Sequence, residues 1–235
     1  MHIRRLENFQ QRSISDDCFP SHFSGWVDRD LGFSGGDTHF GFVYRGEVEL
    51  QCDSGVFRLR SGMYFCLPGE FSLRGENSAG CVATRIGYRG VFQLGGPVEA
   101  TGRLRYIDGC SDTLLISPVV LGDPCLNLLV IPPRTAQTEH THPSCRLGMI
   151  VSGSGTCRTP EADFPLEAGM TFEIAPGGLH SFHTSEEALR VIAWHPDSDC
   201  GPQHEDHPMI NRTIINGTSA AELARGKSED VASSG

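Results

Sequence analysis

A chain of 235 residues carrying a net charge of −10 is long enough for one large buried core or two smaller ones. Hydrophobic residues make up 38% and charged residues 20%, with 28 glycines and 14 prolines, a composition that favours many short strands joined by tight turns over long helical bundles. The acidic balance, with no basic run, excludes the electrostatic footprint of a nucleic-acid binder. No segment approaches the roughly 20 apolar residues of a membrane span. The opening Met1-His2-Ile3-Arg4-Arg5-Leu6-Glu7 turns polar at once and has no apolar core of a secretory leader. Nine cysteines, odd in number and never spaced Cys-x-x-Cys, read as free thiols of a cytoplasmic protein. On that reading the sequons at Asn211 and Asn216 carry no sugar.

From residue 38 to 68, the runs Phe40 to Tyr44, Val48 to Cys52 and Val56 to Leu59 are separated by breaks at Gly46, Gly55 and Gly62, which predicts a β-meander. The same rhythm returns in Leu114 to Ile116, Asn127 to Ile131, Gly148 to Val151 and Arg190 to Trp194. A short helix is expected only from Ser219 to Lys227, followed by a polar tail expected to be disordered.

The two rhythmic regions share an offset. Gly46 and Gly153, and likewise Gly62 and Gly169, are 107 residues apart, while Pro68-Gly69 and Pro176-Gly177 are 108 apart. The surrounding strings agree, with Phe42-Val43-Tyr44-Arg45-Gly46 beside Met149-Ile150-Val151-Ser152-Gly153. Two tandem copies of one β-rich unit are therefore expected, divided near Gly95 to Arg105.

In the second copy, His140 and His142 are two residues apart, so on a strand both would project from one face and could bind one transition metal. A third nitrogen is available at His180, at the end of Ala175-Pro176-Gly177-Gly178-Leu179. His140-Thr141-His142 through Gly153, together with Gly169 through His180, resembles the two motifs of the cupin superfamily, G-x5-H-x-H-x3–4-E-x6-G and G-x5-P-x-G-x2-H-x3-N. Arg146 stands where that family usually carries a ligating Glu, Ala175 replaces a Pro, and Thr184 replaces the final Asn.

The resemblance implies an all-β fold of two tandem double-stranded β-helix (cupin, or jelly-roll) barrels. Residues 1–100 would form a degenerate N-terminal barrel, residues 101–200 a metal-binding C-terminal barrel, and residues 201–235 a partly disordered extension. It implies the ligand set His140, His142 and His180 with no carboxylate, as in three-His cupins that include cysteine-dioxygenase-like and β-diketone-dioxygenase-like iron enzymes. Fe(II) is the expected ion, although neutral imidazoles also suit Zn, Ni, Mn or Cu. In the first copy the offset sets Phe33 opposite His140, Gly35 opposite His142, Leu73 or Ser72 opposite His180, and His39 opposite Arg146. None of the residues opposite the three ligands binds metal.

Around this site, Arg146 is expected to grip an anionic substrate, with a rim arginine as the plain alternative. Glu173 is a candidate general acid or base, against an outward solvated carboxylate. His183 is expected beside the ligands or at the surface, and Cys145 as a small buried side chain. The stretch Trp194 to Pro208, rich in His and acids, is expected to form a loop over the barrel mouth or a dimer contact, with His195 its first residue to test. The leading expectation is a mononuclear non-haem iron dioxygenase acting on a small polar or anionic molecule, in a homodimer that binds neither nucleic acid nor membrane. A redox-neutral metal-dependent isomerase, lyase or decarboxylase, and a non-catalytic ligand-binding protein, are the alternatives.

Overall fold

A computed structural model describes residues 1–8, 11–14, 16 and 18–197, together with two short strands at 214–215 and 218–219. The first half contains β1 (His2–Arg5), β2 (Arg12–Ile14), β3 (Ser21–Val27), β4 (Leu31–Phe33), β5 (Thr38–Arg45), β6 (Glu47–Cys52), β7 (Gly55–Arg60), β8 (Tyr64–Pro68), β9 (Phe71–Arg74), β10 (Ala79–Arg85) and β11 (Gln93–Gly95). The second contains β12 (Leu104–Arg105), β13 (Ser111–Ile116), β14 (Cys125–Ile131), β15 (Arg146–Ser152), β16 (Ser154–Arg158), β17 (Asp163–Glu167), β18 (Met170–Ile174), β19 (Ser181–His183) and β20 (Leu189–His195). Two single 3-10 turns, Leu6–Asn8 and Ile107–Gly109, interrupt an otherwise all-β architecture of antiparallel sheets.

Within residues 1–197 four sheets come in two pairs. A six-stranded sheet, β11-β8-β5-β10-β3-β2, faces a four-stranded one, β4-β9-β6-β7. A seven-stranded sheet, β1-β18-β15-β20-β14-β13-β12, faces a three-stranded one, β17-β16-β19. The order β8-β5-β10-β3-β2 corresponds strand for strand to β18-β15-β20-β14-β13. The jelly-roll layering is thus laid out twice along the chain.

Three apolar clusters explain why the sequence patterns differ between sheets. Val48, Leu50, Leu59 and Phe65 fill the first pair, and Cys157, Leu166, Phe172 and Phe182 fill the second. Between the two large sheets lies a third cluster, with Phe40, Phe42 and Cys81 against Leu128, Leu147, Met149 and Trp194. The large sheets are therefore covered on both faces, and β5 and β14 are buried along nearly their whole length. The small sheets have one wet face, and β6 alternates as Glu47-Val48-Glu49-Leu50. Fully burying a side chain such as Leu128 or Met149 contributes about 1.5–3 kcal/mol, so the seam between the halves is a core in its own right.

The turns repeat as well as the strands. Gly46 and Gly153 take φ of +78° and +82°, and Gly62 and Gly169 both take +84°. Gly41 and Gly148, also 107 residues apart, lie directly under Phe65 and Phe172, whose rings occupy the space a Cβ would need.

The division at residue 100 requires one correction. β1 leaves the N-terminal half and pairs with β18, His2 opposite Glu173 and Arg5 opposite Met170. It covers the edge of β18 as β11 covers the edge of β8. In the C-terminal extension, Ile214 pairs with Ser219 and Ile215 with Thr218. The expected helix beyond Ser219, the disordered tail, both sequons and the stretch beyond Asp197 up to Pro208 lie outside the described residues.

Candidate metal centre

His140 and His142 sit on the connection between β14 and β15 rather than within a regular strand. Backbone pairing to the 175–180 turn still fixes both. His140 and His180 exchange N–H···O bonds of 3.0 Å in each direction, and the Gly177 amide donates to the His142 carbonyl at 2.8 Å. The sharp turn Ala175-Pro176-Gly177-Gly178 allows this approach, with Gly177 at φ +68° and Gly178 donating back to the Ala175 carbonyl.

The three imidazoles converge. Ring centroids lie 4.5 Å apart for His140 and His180, 5.0 Å for His140 and His142, and 5.4 Å for His142 and His180. One nitrogen from each falls within 4.8 Å of the others, an arrangement that can hold a metal ion. His140 Nδ1 pairs with the Thr138 carbonyl at 2.9 Å, and His180 Nδ1 with the Gly178 carbonyl at 2.8 Å. A carbonyl only accepts, so Nδ1 carries the proton in both rings and Nε2 keeps its lone pair.

Burial then keeps the rings neutral. It lowers His180 to about 4, against smaller upward help from the Gly178 carbonyl and a further lowering by the other two histidines and Arg146. It also lowers His140, with the Thr138 carbonyl opposing it. Neutral, pre-oriented imidazoles are what a divalent transition metal requires. The donor set of this chain fits such an ion.

Arg146, on β15, faces Ile174 across the sheet pairing, and Ile174 belongs to the core between the two sheets of this half. Its side chain therefore points inward, at the end of the barrel where the histidines gather. It is 3% exposed, and its Nη1 donates to Ser144 Oγ at 2.7 Å and to the carbonyls of Cys145 and Ser144 at 3.0 and 3.2 Å. Asp197 lies 3.7 Å away and accepts the Ser144 hydroxyl. Arg146 thus takes part in an internal ion pair that the sequence did not reveal, because Asp197 is 51 residues from Arg146 in the chain.

Glu173 also requires correction. Phe172 and Ile174 face the core of this half, so the residue between them faces the other way, opposite Leu147 of the seam cluster and His2 of β1. Its carboxylate pairs with Arg12 Nε at 3.5 Å. The strand's two-residue alternation puts it on the opposite side of the sheet from the histidines, which excludes it as an acid or base there.

Of the other residues singled out, His183 accompanies Ser181, with its Nε2 2.8 Å from the hydroxyl, and alternates with inward Phe182. Cys145 is fully buried in the seam cluster, where burial pushes its thiol up to about 12. His195 ends β20 on the same face as Val191 and Ala193, and its ring lies 6.2 Å from that of His142. It stands beside the three ligands without joining the group.

The first copy's counterpart of this site is aromatic. Phe33 pairs across the sheet with Phe71, as His140 does with His180, and the two phenyl rings stack at 4.7 Å. The residue opposite His180 is therefore Phe71 rather than Leu73 or Ser72. One residue fewer separates it from its Pro-Gly turn, Glu70 alone standing where the second copy has Gly178 and Leu179.

The family model for the cupin domain matches residues 127–195, a span that contains all three histidines. This segment is a cupin domain. Among solved structures, the whole chain is similar in fold to protein Ylba from E. coli, with 17% identity, 85% of this chain and 92% of that chain covered, and a TM-score of 0.60. It is likewise similar to a salicylate 1,2-dioxygenase from Pseudaminobacter salicylatoxidans, with 11% identity, 83% and 84% coverage, and a TM-score of 0.58. A third, oxalate decarboxylase, gives 12% identity, 83% and 77% coverage, and a TM-score of 0.51. No curated protein matches the sequence. Among the described residues, no helix is long and apolar enough to cross a membrane.

Proposed function

We propose that this protein is a metal-dependent enzyme of the cupin superfamily, specifically a mononuclear non-haem iron dioxygenase for a small polar or anionic organic molecule. The observation that carries the reading is the convergence of three imidazoles, two of which, His140 and His180, have their Nδ1 protons already committed to carbonyls. His140, His142 and His180 would hold the ion through their remaining nitrogens. Fe(II), when bound there, would supply the redox chemistry between substrate and dioxygen. The protein's own contribution is placement. His180 is buried while His140 and His142 are half-exposed, so the group has a wet side for substrate and a dry side against Ile174 and Phe182. Arg146, paired with Asp197, is held in place on this side of the barrel, and His195 lines the wall next to His142.

Likeness in fold to a salicylate 1,2-dioxygenase supports the oxidative reading. Anaerobic loading with Fe(II), then oxygen-uptake measurements on a panel of thiols, diketones and phenolic acids, tests it. Uptake should require Fe(II) and disappear in His180→Ala. A redox-neutral lyase or decarboxylase is the second reading, favoured by the likeness to oxalate decarboxylase. Turnover that persists without oxygen and with Zn(II) would select that reading over the first.

A further inference from the structure

The connection that carries His140 is bridged to the 180–183 segment at Ala136, Gln137 and His140, but Thr138, whose carbonyl accepts the His140 hydrogen bond, lies between these points and is exposed. His180 differs, because its acceptor Gly178 is fixed by its own turn through the bond to Ala175. Thr138 is tied down from elsewhere. The 3-10 turn Ile107–Gly109, closed by bonds from Tyr106 N to Cys110 O at 2.9 Å and from Cys110 N to Ile107 O at 3.0 Å, reaches across to it. Asp108 Oδ2 accepts the Thr138 amide N–H at 2.6 Å.

This contact is maintained at a backbone cost. Asp108 sits at φ 52° and ψ 36°, the left-handed region that few residues other than glycine adopt, although Asp tolerates it better than most. Gly109 follows at φ +79°. Two consecutive left-handed residues turn the chain so that the Asp108 carboxylate, otherwise in solvent, meets the backbone two residues before a ligand. The amide keeps that carboxylate charged, holding it below its ordinary range.

We propose that Asp108 is a positioning residue for His140: it pins Thr138 by its N–H so that the Thr138 carbonyl holds the His140 ring in the Nδ1–H tautomer with Nε2 toward the site. The proposal rests on the metal reading above. The carboxylate touches neither the ligand nor the ion, and acts through one backbone residue that is bonded on one side to Asp108 and on the other to His140.

The test uses the full chain and Co(II) as probe, read by visible absorption and by competition with a chelator. Long-range proton–nitrogen NMR spectra of the metal-free protein report the histidine tautomers. Asp108→Gly removes the carboxylate at a backbone angle that glycine adopts freely, and Asp108→Asn retains an acceptor. Asp108→Gly is expected to weaken Co(II) binding by about tenfold and to shift the His140 tautomer while leaving His180 unchanged. Asp108→Asn should recover most of both. An Asp108→Gly protein with wild-type affinity and a wild-type His140 tautomer overturns the proposal alone. A wild-type chain that takes up no Co(II) overturns the metal reading, and the tautomer then decides the proposal: no change at His140 in Asp108→Gly overturns it.

Discussion

Phe33 and Phe71 in one half, and His140 and His180 in the other, occupy the same cross-strand position at nearly the same separation, 4.7 Å for the phenyl rings and 4.5 Å for the imidazoles. The phenyl pair stacks within 2° of parallel and closes its barrel with apolar surface. The imidazoles are tilted by 51°, with their Nδ1 atoms anchored to carbonyls, and turn nitrogen toward one another. One backbone layout thus supports a plug or a donor cluster. Which one forms is set by a few side chains at the barrel end, and the core beneath is common to both.

Removing donors should break that comparison most severely. His140→Ala, His142→Ala and His180→Ala are each expected to lower metal affinity at least a hundredfold by isothermal titration, since two imidazoles form a much weaker site than three. The double change His140→Phe with His180→Phe should abolish metal binding yet leave a cooperative unfolding transition, because the first half already carries the equivalent pair.

The ion pair comes next. Arg146→Leu leaves the Asp197 carboxylate without its buried partner and should cost about 3 kcal/mol in urea unfolding. Arg146→Leu combined with Asp197→Leu should recover most of that loss. Recovery would mark the pair as internal structure, whereas loss of substrate affinity without loss of stability would support the anchoring role.

Gly41→Ala and Gly148→Ala probe what the halves share. A methyl group at either position collides with a phenyl ring, Phe65 or Phe172, and each change should destabilise by about 2 kcal/mol in the same unfolding assay. Unequal costs would locate where the two cores have diverged.

One effect depends on pH and vanishes near neutrality. His39, the first half's counterpart of Arg146, is buried against the stacked pair Phe33 and Phe71, with Nδ1 2.9 Å from Thr84 Oγ1. Burial lowers it from 6.5 to about 4. The unfolded chain therefore binds this proton first, and stability attributable to a neutral His39 is present above pH 6.5 and declines as pH falls toward about 4. His39→Leu should match the wild type near neutral pH and lose roughly 2–3 kcal/mol less by about pH 4.5. Parallel loss in both proteins would assign the acid sensitivity to other groups.

The 107-residue offset was legible because turn glycines and the residues packed over them are constrained by backbone geometry, and Gly46, Gly62, Gly153 and Gly169 all adopt positive φ. The three histidines were legible because a metal site needs donors at fixed spacing around one turn. Glu173 was misplaced because its residue type suggested chemistry, whereas the face it occupies depends on which neighbours are buried. Phe71 was missed because a one-residue difference in loop length cannot be located without the strand pairing.

The sequence by itself determined the β-rich layout, its repetition and the donor set, since these follow from local periodicity, turn chemistry and short-range spacing. Only the tertiary structure decided that β1 closes the second half's sheet, that Asp197 meets Arg146, and that Asp108 reaches Thr138. Those contacts join residues far apart in the chain. Their energies depend on burial and direction, which exist only once the two large sheets have packed against each other.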